Sequence, residues 1–204
     1  MSKRYAPATE RNRDPILDVL RTYLPEQGTV LEVSAGTGQH AAFFAPRLAP
    51  RYWLPTDVDE ISLSSIEAWR ETSQAPNLLA PQCLDVLATR WLVEDTELPE
   101  PLSAMVNINM VHIAPWPCCE GLFDGAYRIL PPQAVVLMYG PFKQGGEHTS
   151  PSNAAFDQQL KAQDARWGVR DLESVIEVAK DCSFDCQVVI PMPANNLMVS
   201  FTRA

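Results

Sequence analysis

The chain has 204 residues, of which 46% are hydrophobic and 20% are charged. A chain of this length fills one α/β domain well and is short for two. Its net charge of −9 comes from 25 acidic and 16 basic residues, and no run of basic residues is longer than Lys3-Arg4. Nucleic-acid binding usually needs a basic patch that releases counterions from phosphates, so the composition disfavours DNA and long RNA as substrates.

The sequence carries no signal for export or for a membrane. The first residues lack the apolar core of a signal peptide, and no stretch approaches the roughly eighteen apolar residues of a membrane span. The 5 cysteines are odd in number and match no disulfide framework and no zinc pattern. We therefore expect a cytoplasmic protein without a metal site, whose cysteines are small buried hydrophobic residues.

Apolar runs alternate with helical patterns along the chain, an order typical of a parallel sheet built by right-handed crossovers. The first helix is predicted to have Asp14 as its N-cap ahead of Pro15 and to end near Tyr23. The elements predicted after it are, in chain order, a strand from 30, a helix over 39–48, a strand over 52–55, a helix over 60–72, a short strand over 78–80 leading to 84–86, a strand over 103–109, a helix over 120–130, a strand over 134–139, helices over 153–165 and 172–180, and strands over 187–190 and 197–201.

The last two predicted strands decide the layout of the sheet. Residues 191–196 alone join them, and a parallel crossover needs a dozen residues or more, so these strands should be antiparallel. We predict an α/β fold with a mostly parallel sheet, helices on both faces and a C-terminal antiparallel hairpin. No residues remain for the substrate domain that dehydrogenases of this general shape usually carry.

The most informative segment is Val30–His40, in which an apolar run holds one carboxylate, Glu32, and leads into a glycine-rich bend. Glycine lets a ligand approach the backbone closely, because it has no Cβ and adopts positive φ readily. The spacing Gly36-x-Gly38 also fits a dinucleotide fingerprint, with Asp57 in the place of the ribose-binding acid. An unpaired carboxylate in a buried strand costs several kcal/mol to desolvate, so Glu32 should meet a cationic ligand group, whereas it would repel a pyrophosphate.

The pattern Glu32-x-x-x-Gly36-x-Gly38 resembles the first motif of class I S-adenosylmethionine (SAM)-dependent methyltransferases. The resemblance implies a Rossmann-like sheet and SAM as the cofactor, with Glu32 on the ammonium group of its methionine moiety. Ser34, Gly36 and Gly38 would then lie against the cofactor. The usual motif has a glycine at the position of Ser34, and serine is small enough for the turn to form.

Two carboxylates at the ends of neighbouring predicted strands belong to the same prediction. Methyltransferases that resemble this chain place an acidic residue like Asp57 on the ribose hydroxyls and one like Asp85 on the adenine amino group. The alternative for Asp57 is the N-cap of the next helix, for which Asp59 competes. The alternative for Asp85 is the cap of a loop turn.

Polar residues after the next two strands are the candidates for contacting a methyl acceptor. The alternation of a strand puts Asn107 and Asn109 on one face, where we expect Asn109 to orient the substrate and to contact the cofactor. His112 has an unperturbed pKa near neutrality and is the candidate general base, with an ordinary structural hydrogen bond as the alternative. Tyr139 is expected to form a pocket wall or to donate a hydrogen bond.

Longer segments resemble one uncharacterised family, the one that includes methyltransferase-like protein 26. They are 10–17, the glycine loop with 39–40, 109–113 with 115–116, 139–142, 152–153 with 156–157, 167–168 with 170–171, and 192–196. We expect residues 1–28 to form an N-terminal segment and helix, and residues 29–204 the methyltransferase-like domain. Placed before the first helix, 10–13 would fold back as a lid, with Arg11 or Asn12 on the cofactor carboxylate or the substrate; a surface leader is the alternative.

The leading hypothesis is a methyltransferase that moves the methyl group of SAM to a small-molecule or peptide-like acceptor. Such a transfer proceeds by in-line attack and needs positioning more than covalent help from the protein. Two alternatives stay open. One is a protein that binds SAM or S-adenosylhomocysteine (SAH) without turnover, and the other is a nicotinamide-dependent oxidoreductase.

Overall fold

The computed structural model describes residues 2–204. Its helices are α1 (Pro7–Tyr23), α2 (Gln39–Phe44), α3 (Glu60–Ser73), α4 (Pro117–Ile129), α5 (Pro151–Gln163) and α6 (Leu172–Asp181). Its strands are β1 (Thr29–Val33), β2 (Tyr52–Asp57), β3 (Gln82–Cys83), β4 (Leu102–Ile108), β5 (Val135–Gly140), β6 (Phe142–Gln144), β7 (Glu147–His148), β8 (Arg170–Asp171), β9 (Phe184–Met192) and β10 (Asn196–Arg203). Within the described residues, no helix combines the length and the apolar character that crossing a membrane requires.

Seven strands form the main sheet, in the order β3-β2-β1-β4-β5-β10-β9. Strands β1 to β5 pair in parallel, and β10 pairs antiparallel with both β5 and β9. This confirms the predicted α/β layout with its C-terminal antiparallel hairpin. The strand order reverses between β1 and β4, and in open sheets of this kind ligands bind outside the carboxyl ends of the strands at that point.

Helices cover both faces of the sheet, so every residue of β1 is buried. One hydrophobic core contains side chains of α1 and α2 together with Val30, and the other contains side chains of α4 and α6 together with Leu31 and Val33. Successive strand residues point to opposite faces, which is why neighbouring residues of β1 enter different cores. The end of β1, which carries the glycine-rich bend, is thereby fixed from two sides.

The first helix departs from the prediction. It begins at Pro7 rather than after Asp14, Ala6 occupies its N-cap without a side-chain hydrogen bond, and Pro15 lies inside it. Proline is favourable in a first helical turn because its missing N–H would have no partner there. The helix therefore begins at Pro7, in the role that the prediction gave to Pro15. Residues 10–13 belong to the helix and do not form a separate segment ahead of it.

Two smaller elements also differ from the prediction, whereas the other predicted helices and strands are present with shifted ends. Strand β3 is Gln82–Cys83, and the expected strand over 78–80 is reduced to one bridge between Leu78 and Trp53. Pro81 separates the two segments, and proline cannot donate a ladder hydrogen bond. A second sheet, in the order β7-β6-β8, is absent from the prediction, because strands of two or three residues show no readable alternation.

Candidate functional site

Two adjoining cavities lie at the carboxyl ends of β1 and β4 and share Ser34 and Ile113 in their walls. The first, which we call the Glu32 lobe, has a volume of about 210 Å³ and is lined by Ala6, Ala8, Thr9, Asn12, Glu32, Ser34, Ala35, Gly36, Thr37, His40, Ile108, Asn109 and Ile113. The second, the Asp85 lobe, has a volume of about 150 Å³ and is lined by Val33, Ser34, Val58, Leu84, Asp85, Val86, Met110, Ile113, Ala114 and Cys118. Together they form one cleft where the strand order reverses.

Glu32 faces its lobe from inside the sheet, and 1% of its surface is exposed. Its Oε2 accepts a hydrogen bond of 2.6 Å from the indole Nε1 of Trp53 on the neighbouring strand β2. Burial raises the pKa of Glu32 to about 8, because the carboxylate loses its hydration; the hydrogen bond from Trp53 opposes this rise, and the charge of Asp57 adds to it. The bond to Trp53 uses one carboxyl oxygen and leaves Oε1 to accept from a ligand.

The loop after β1 brings backbone to the cleft. Ser34, Gly36 and Gly38 have φ angles of 60°, 60° and 84°, in the left-handed region. A Cβ on Gly36 would meet nothing within 4 Å, whereas a Cβ on Gly38 would lie 2.6 Å from the Cα of Ile66 in α3. The two glycines therefore serve different purposes: Gly36 leaves space in the cleft, and Gly38 lets the loop pack against α3.

Asp57 ends β2 and holds the glycine loop in place. Its Oδ2 accepts a hydrogen bond of 2.9 Å from the Gly36 N–H, and its Oδ1 accepts one of 3.0 Å from the Asp59 N–H. Asp59 is the N-cap of α3, since its Oδ2 accepts from the Ser62 N–H at 3.0 Å. Asp57 is therefore not the N-cap of α3, and each of its oxygens has one further lone pair for a ligand hydroxyl. It is buried and lies outside the lining of both lobes, directly behind the Gly36 backbone.

Asp85 lies at the rim of the other lobe. Its side chain is exposed, and Oδ1 accepts a hydrogen bond of 2.9 Å from the Leu87 N–H, so it does cap a turn. Leu84 and Val86 on either side of it are buried and line the same lobe. An apolar wall with one hydrogen-bond acceptor at its edge suits a flat heterocycle that carries an amino group.

Helix α1 forms one wall of the Glu32 lobe, through Thr9 and Asn12 among others. The Oδ1 of Asn12 lies 2.9 Å from Nε2 of His40, and the Asn12 side chain also bonds to the Tyr139 hydroxyl. Arg11 is exposed and lies outside the lining of both lobes. Of the two residues predicted to reach the cofactor from the N-terminal segment, the structure brings Asn12 to the cleft and leaves Arg11 away from it.

His40 and Tyr139 are joined through Asn12. Burial lowers the pKa of His40 to about 4, and the charge of Arg13 adds to this effect, so the ring is neutral at pH 7. Tyr139 is buried behind Asn12, and burial raises the pKa of its hydroxyl against the opposing hydrogen bond from Asn12. From the sequence, His40 is expected to cap the helix or to touch the cofactor and is assigned no catalytic role; its place in the first turn after the glycine loop is the signal that brings it to the cleft.

Asn107 and Asn109 do not share a face, contrary to the prediction. Asn107 is buried within β4 and donates to the Val33 carbonyl at 3.1 Å. Asn109 follows the end of β4 with a φ angle of 65°, so the alternation of the strand no longer applies to it. This left-handed residue turns the chain, and Asn109 lines the Glu32 lobe.

His112 is fully buried and lies outside the lining of both lobes. Its Nδ1 accepts a hydrogen bond of 3.3 Å from the Arg170 N–H, and its ring packs edge-on against Phe142 at 4.8 Å. Burial lowers its pKa to about 3, and the charge of Arg170 lowers it further. A Cβ on Gly140 would clash with Nε2 of His112 and lie 3.1 Å from Oδ1 of Asn109, so the histidine packs directly behind the residue that lines the cleft.

A family model described as "Protein of unknown function (DUF938)" matches residues 3–203. The chain belongs to this family. Within residues 2–204 of this DUF938 member, no group of three or more histidine, cysteine, aspartate and glutamate side chains is arranged to hold a metal ion.

Solved methyltransferase structures share the fold. An O-methyltransferase family 2 protein from Planctomyces limnophilus in complex with apigenin has a TM-score of 0.78 and 16% identity, over 97% of this chain and 58% of that chain. The mitomycin 7-O-methyltransferase MmcR has a TM-score of 0.76 and 10% identity, over 97% and 54%. CalO1, a methyltransferase of calicheamicin biosynthesis in its SAH-bound form, has a TM-score of 0.69 and 14% identity, over 94% and 54%. The chain thus has the fold of SAM-dependent methyltransferases and spans little more than half the length of these proteins.

Proposed function

We propose that this DUF938 member is a SAM-dependent methyltransferase with a small-molecule or peptide-like acceptor. Glu32 is the observation that supports the proposal most strongly. A buried carboxyl group that faces a ligand cleft, with one oxygen held by Trp53, suits an ammonium group, because opposite charges offset the cost of desolvation. A pyrophosphate in the same place would set like charges side by side.

The remaining parts of SAM fit the other residues of the cleft. Asp57 accepts the ribose hydroxyls, and the Asp85 lobe receives the adenine ring with its amino group toward Asp85. Gly36, whose Cβ position is open, lets the ligand approach the loop backbone, and Ser34 lies where the two lobes meet. When bound, SAM supplies a methyl group that is already activated on a sulfonium.

We place the acceptor in the Glu32 lobe, beside Asn109 and Asn12. Both amides can donate and accept hydrogen bonds, which orients an incoming nucleophile for in-line attack. Tyr139 holds Asn12 from behind. A small-molecule acceptor agrees with the apigenin named for the Planctomyces limnophilus protein. We also propose that the chain is related to the uncharacterised family that includes methyltransferase-like protein 26. That relationship does not indicate a substrate.

His112 enters the proposal as a positioning residue. A general base has to reach the substrate atom that receives the methyl group. The ring of His112 is buried against Phe142 outside the cleft, so it cannot act as that base. Its packing against Gly140 fixes the backbone from which Asn109 reaches the lobe. In this proposal His112 therefore acts on methyl transfer through Asn109, and the transfer depends on positioning more than on a protein base.

The experiment that tests the proposal combines binding with turnover. Calorimetric titrations of SAM, SAH and NADH into the wild-type protein and into Glu32→Gln show which cofactor is bound and whether Glu32 recognises it. SAH release is then measured with fractionated cell extract as the source of acceptors. We expect binding of SAM and SAH, weaker binding to Glu32→Gln, and SAH release with at least one fraction.

Other outcomes would contradict the proposal in distinct ways. Binding of NADH in place of SAM would identify an oxidoreductase. SAM binding without SAH release from any fraction would identify a binding protein without turnover. Equal SAM affinity of the wild-type protein and a folded Glu32→Gln variant above pH 8, where Glu32 is ionised, would remove the assignment of Glu32 to the ammonium group.

A further inference from the structure

A second cavity lies outside the cofactor cleft, among helices α1, α2 and α3. It has a volume of about 290 Å³, at the small end of the range for ligand pockets, and shares no lining residue with the Glu32 lobe or the Asp85 lobe. Two arginines, Arg13 and Arg47, and two aromatic residues, Phe43 and Trp69, are part of its lining. The proposed methyltransferase function makes no use of this cavity.

The two guanidinium groups of the cavity both pack on one aromatic ring, and Arg13 also has a carboxylate nearby. The Cζ atoms of Arg13 and Arg47 lie 4.5 Å and 3.9 Å from the ring centre of Phe43. Arg47 donates to the Phe43 carbonyl at 2.9 Å. The Nε of Arg13 is shielded from solvent and has no hydrogen-bond partner within the part of the chain that the structure describes, and the nearby Oδ2 of Asp14 is 3.8 Å away. Arg13 and Arg47 line the cavity, so their terminal guanidinium N–H groups, rather than the shielded Nε of Arg13, are the positively charged donors that an anion could reach.

The charge around the cavity is positive although the protein is acidic. Glu10 is the acidic side chain of the lining, against Arg13 and Arg47, and outside the lining Asp14 lies 3.8 Å from the Nε of Arg13. The ammonium group of Lys3 adds a further positive charge, 4.2 Å from the ring centre of Trp69. In a chain with a net charge of −9, such a concentration of positive charge attracts anions locally.

We propose that this cavity binds a small flat organic anion, an aromatic carboxylate or phosphate. The ring of the ligand lies against Trp69, and its anionic group accepts hydrogen bonds from Arg13 and Arg47, which Phe43 holds in place. Glu10 disfavours the ligand by like-charge repulsion, which makes it a natural control position.

The test uses benzoate, with neutral benzamide as its matched partner, and follows the indole N–H signal of Trp69 in nitrogen–proton correlation spectra. Trp69→Phe assigns the signal among the 5 tryptophans. We expect a saturable shift with benzoate and a much weaker one with benzamide. Arg47→Gln should raise the dissociation constant about 1.5-fold to fivefold, the range for a partly exposed charge pair, and Glu10→Gln should lower it.

Equal affinity for benzoate and benzamide would overturn the proposal, and so would an unchanged dissociation constant in Arg47→Gln. A benzoate shift at the Trp53 signal instead of the Trp69 signal would also overturn it, because it would place the anion in the cofactor cleft. None of these results depends on SAM binding, so failure here and failure of the proposed function are distinguishable.

Discussion

The substitution Glu32→Gln tests the cofactor site most directly, because it changes charge at nearly constant shape. Gln can still accept the hydrogen bond from Trp53 through its amide oxygen. The pKa of Glu32 is raised from 4.5 to about 8 by burial, so about nine-tenths of the carboxyl groups are protonated at pH 7 in the ligand-free protein. An ammonium ligand favours the ionised form, and its binding at pH 7 should therefore release a proton.

The loss of SAM affinity in Glu32→Gln should grow with pH. A hydrogen bond to a charged group contributes about 1.5 to 3 kcal/mol, and ionising Glu32 at pH 7, one unit below its pKa, costs about 1.4 kcal/mol. The variant should then bind SAM at most about 15-fold more weakly at pH 7, and about 10-fold to 150-fold more weakly above pH 8. The ligand's own amino group titrates in the same range, and its effect cancels in the ratio of the two affinities.

The same substitution should stabilise the ligand-free protein. An acid whose folded-state pKa is raised contributes stability below its unfolded pKa, and this contribution is lost as pH rises from 4.5 to about 8. At pH 7 the wild-type protein has lost about 3.5 kcal/mol in this way, since pH 7 lies 2.5 pH units above the unfolded pKa of 4.5 and each unit costs about 1.4 kcal/mol. Glu32→Gln should recover up to that amount at pH 7 and nothing at pH 4.

Three measurements check these effects. The indole N–H signal of Trp53, which donates to Glu32, should titrate with a midpoint near pH 8 and lose this transition in Glu32→Gln. Calorimetry in buffers of different ionisation enthalpy counts the protons released by SAM. Urea unfolding at pH 4 and pH 7 gives the stability difference. A Trp53 midpoint near 4.5, or an affinity ratio that stays flat from pH 6 to pH 9, would refute the reasoning.

The cleft yields three further predictions. Gly36→Ala should lower the free energy of unfolding by about 1–2 kcal/mol, because of its φ angle, and should also weaken SAM binding. Gly38→Ala should lose more stability, because its Cβ meets the backbone of α3. Thermal unfolding measures the loss of stability, and SAM titration measures the loss of affinity. Asp57→Asn should weaken SAM binding about tenfold, measured by calorimetry, because its amide N–H₂ would face a backbone donor or the ribose hydroxyls; unchanged affinity would exclude it from the site. Gly140→Ala should lower the rate of SAH release more than SAM affinity, because its Cβ displaces Asn109; equal losses of both would contradict this.

The sheet and the glycine loop could be predicted from the sequence because their signals are local. Strand β1 is a short apolar run, and the six residues between the last two predicted strands, three between β9 and β10 in the structure, are too few for a parallel crossover and require an antiparallel pair. The start of α1 could not be predicted in this way, since Pro7 and Pro15 give the same kind of signal. What distinguishes them is a contact distant in sequence, the hydrogen bond from the Ala6 N–H to Oε1 of Gln39 on the glycine loop.

The residues of the candidate site also fall into two groups, those whose position follows from the strand order and those whose position depends on contacts distant in sequence. Glu32 lies near the end of β1, where topology alone brings it to the cleft. Asp57, at the end of β2, lies outside the lining of both lobes and is linked to the cleft through its hydrogen bond from Gly36. The environment of His112 depends on the backbone of Arg170, which is 58 residues further along the chain, so no nearby pattern reveals that the ring is buried. Asn12 enters the cleft because α1 begins early and crosses the ends of β1 and β4, which again is a tertiary effect.

Ser34 shows how a departure from the usual motif can leave the loop intact. A non-glycine residue in the left-handed region costs about 1–2 kcal/mol, and Ser34 has a φ angle of 60°. The next two residues are tied to β2, through the Ala35 N–H to the Thr56 carbonyl at 2.8 Å and the Gly36 N–H to Asp57 at 2.9 Å. Two such bonds, at about 1 kcal/mol or more each, offset the strain. The serine therefore changes the energy of the turn and keeps its path, so its presence is compatible with a ligand lying against the loop.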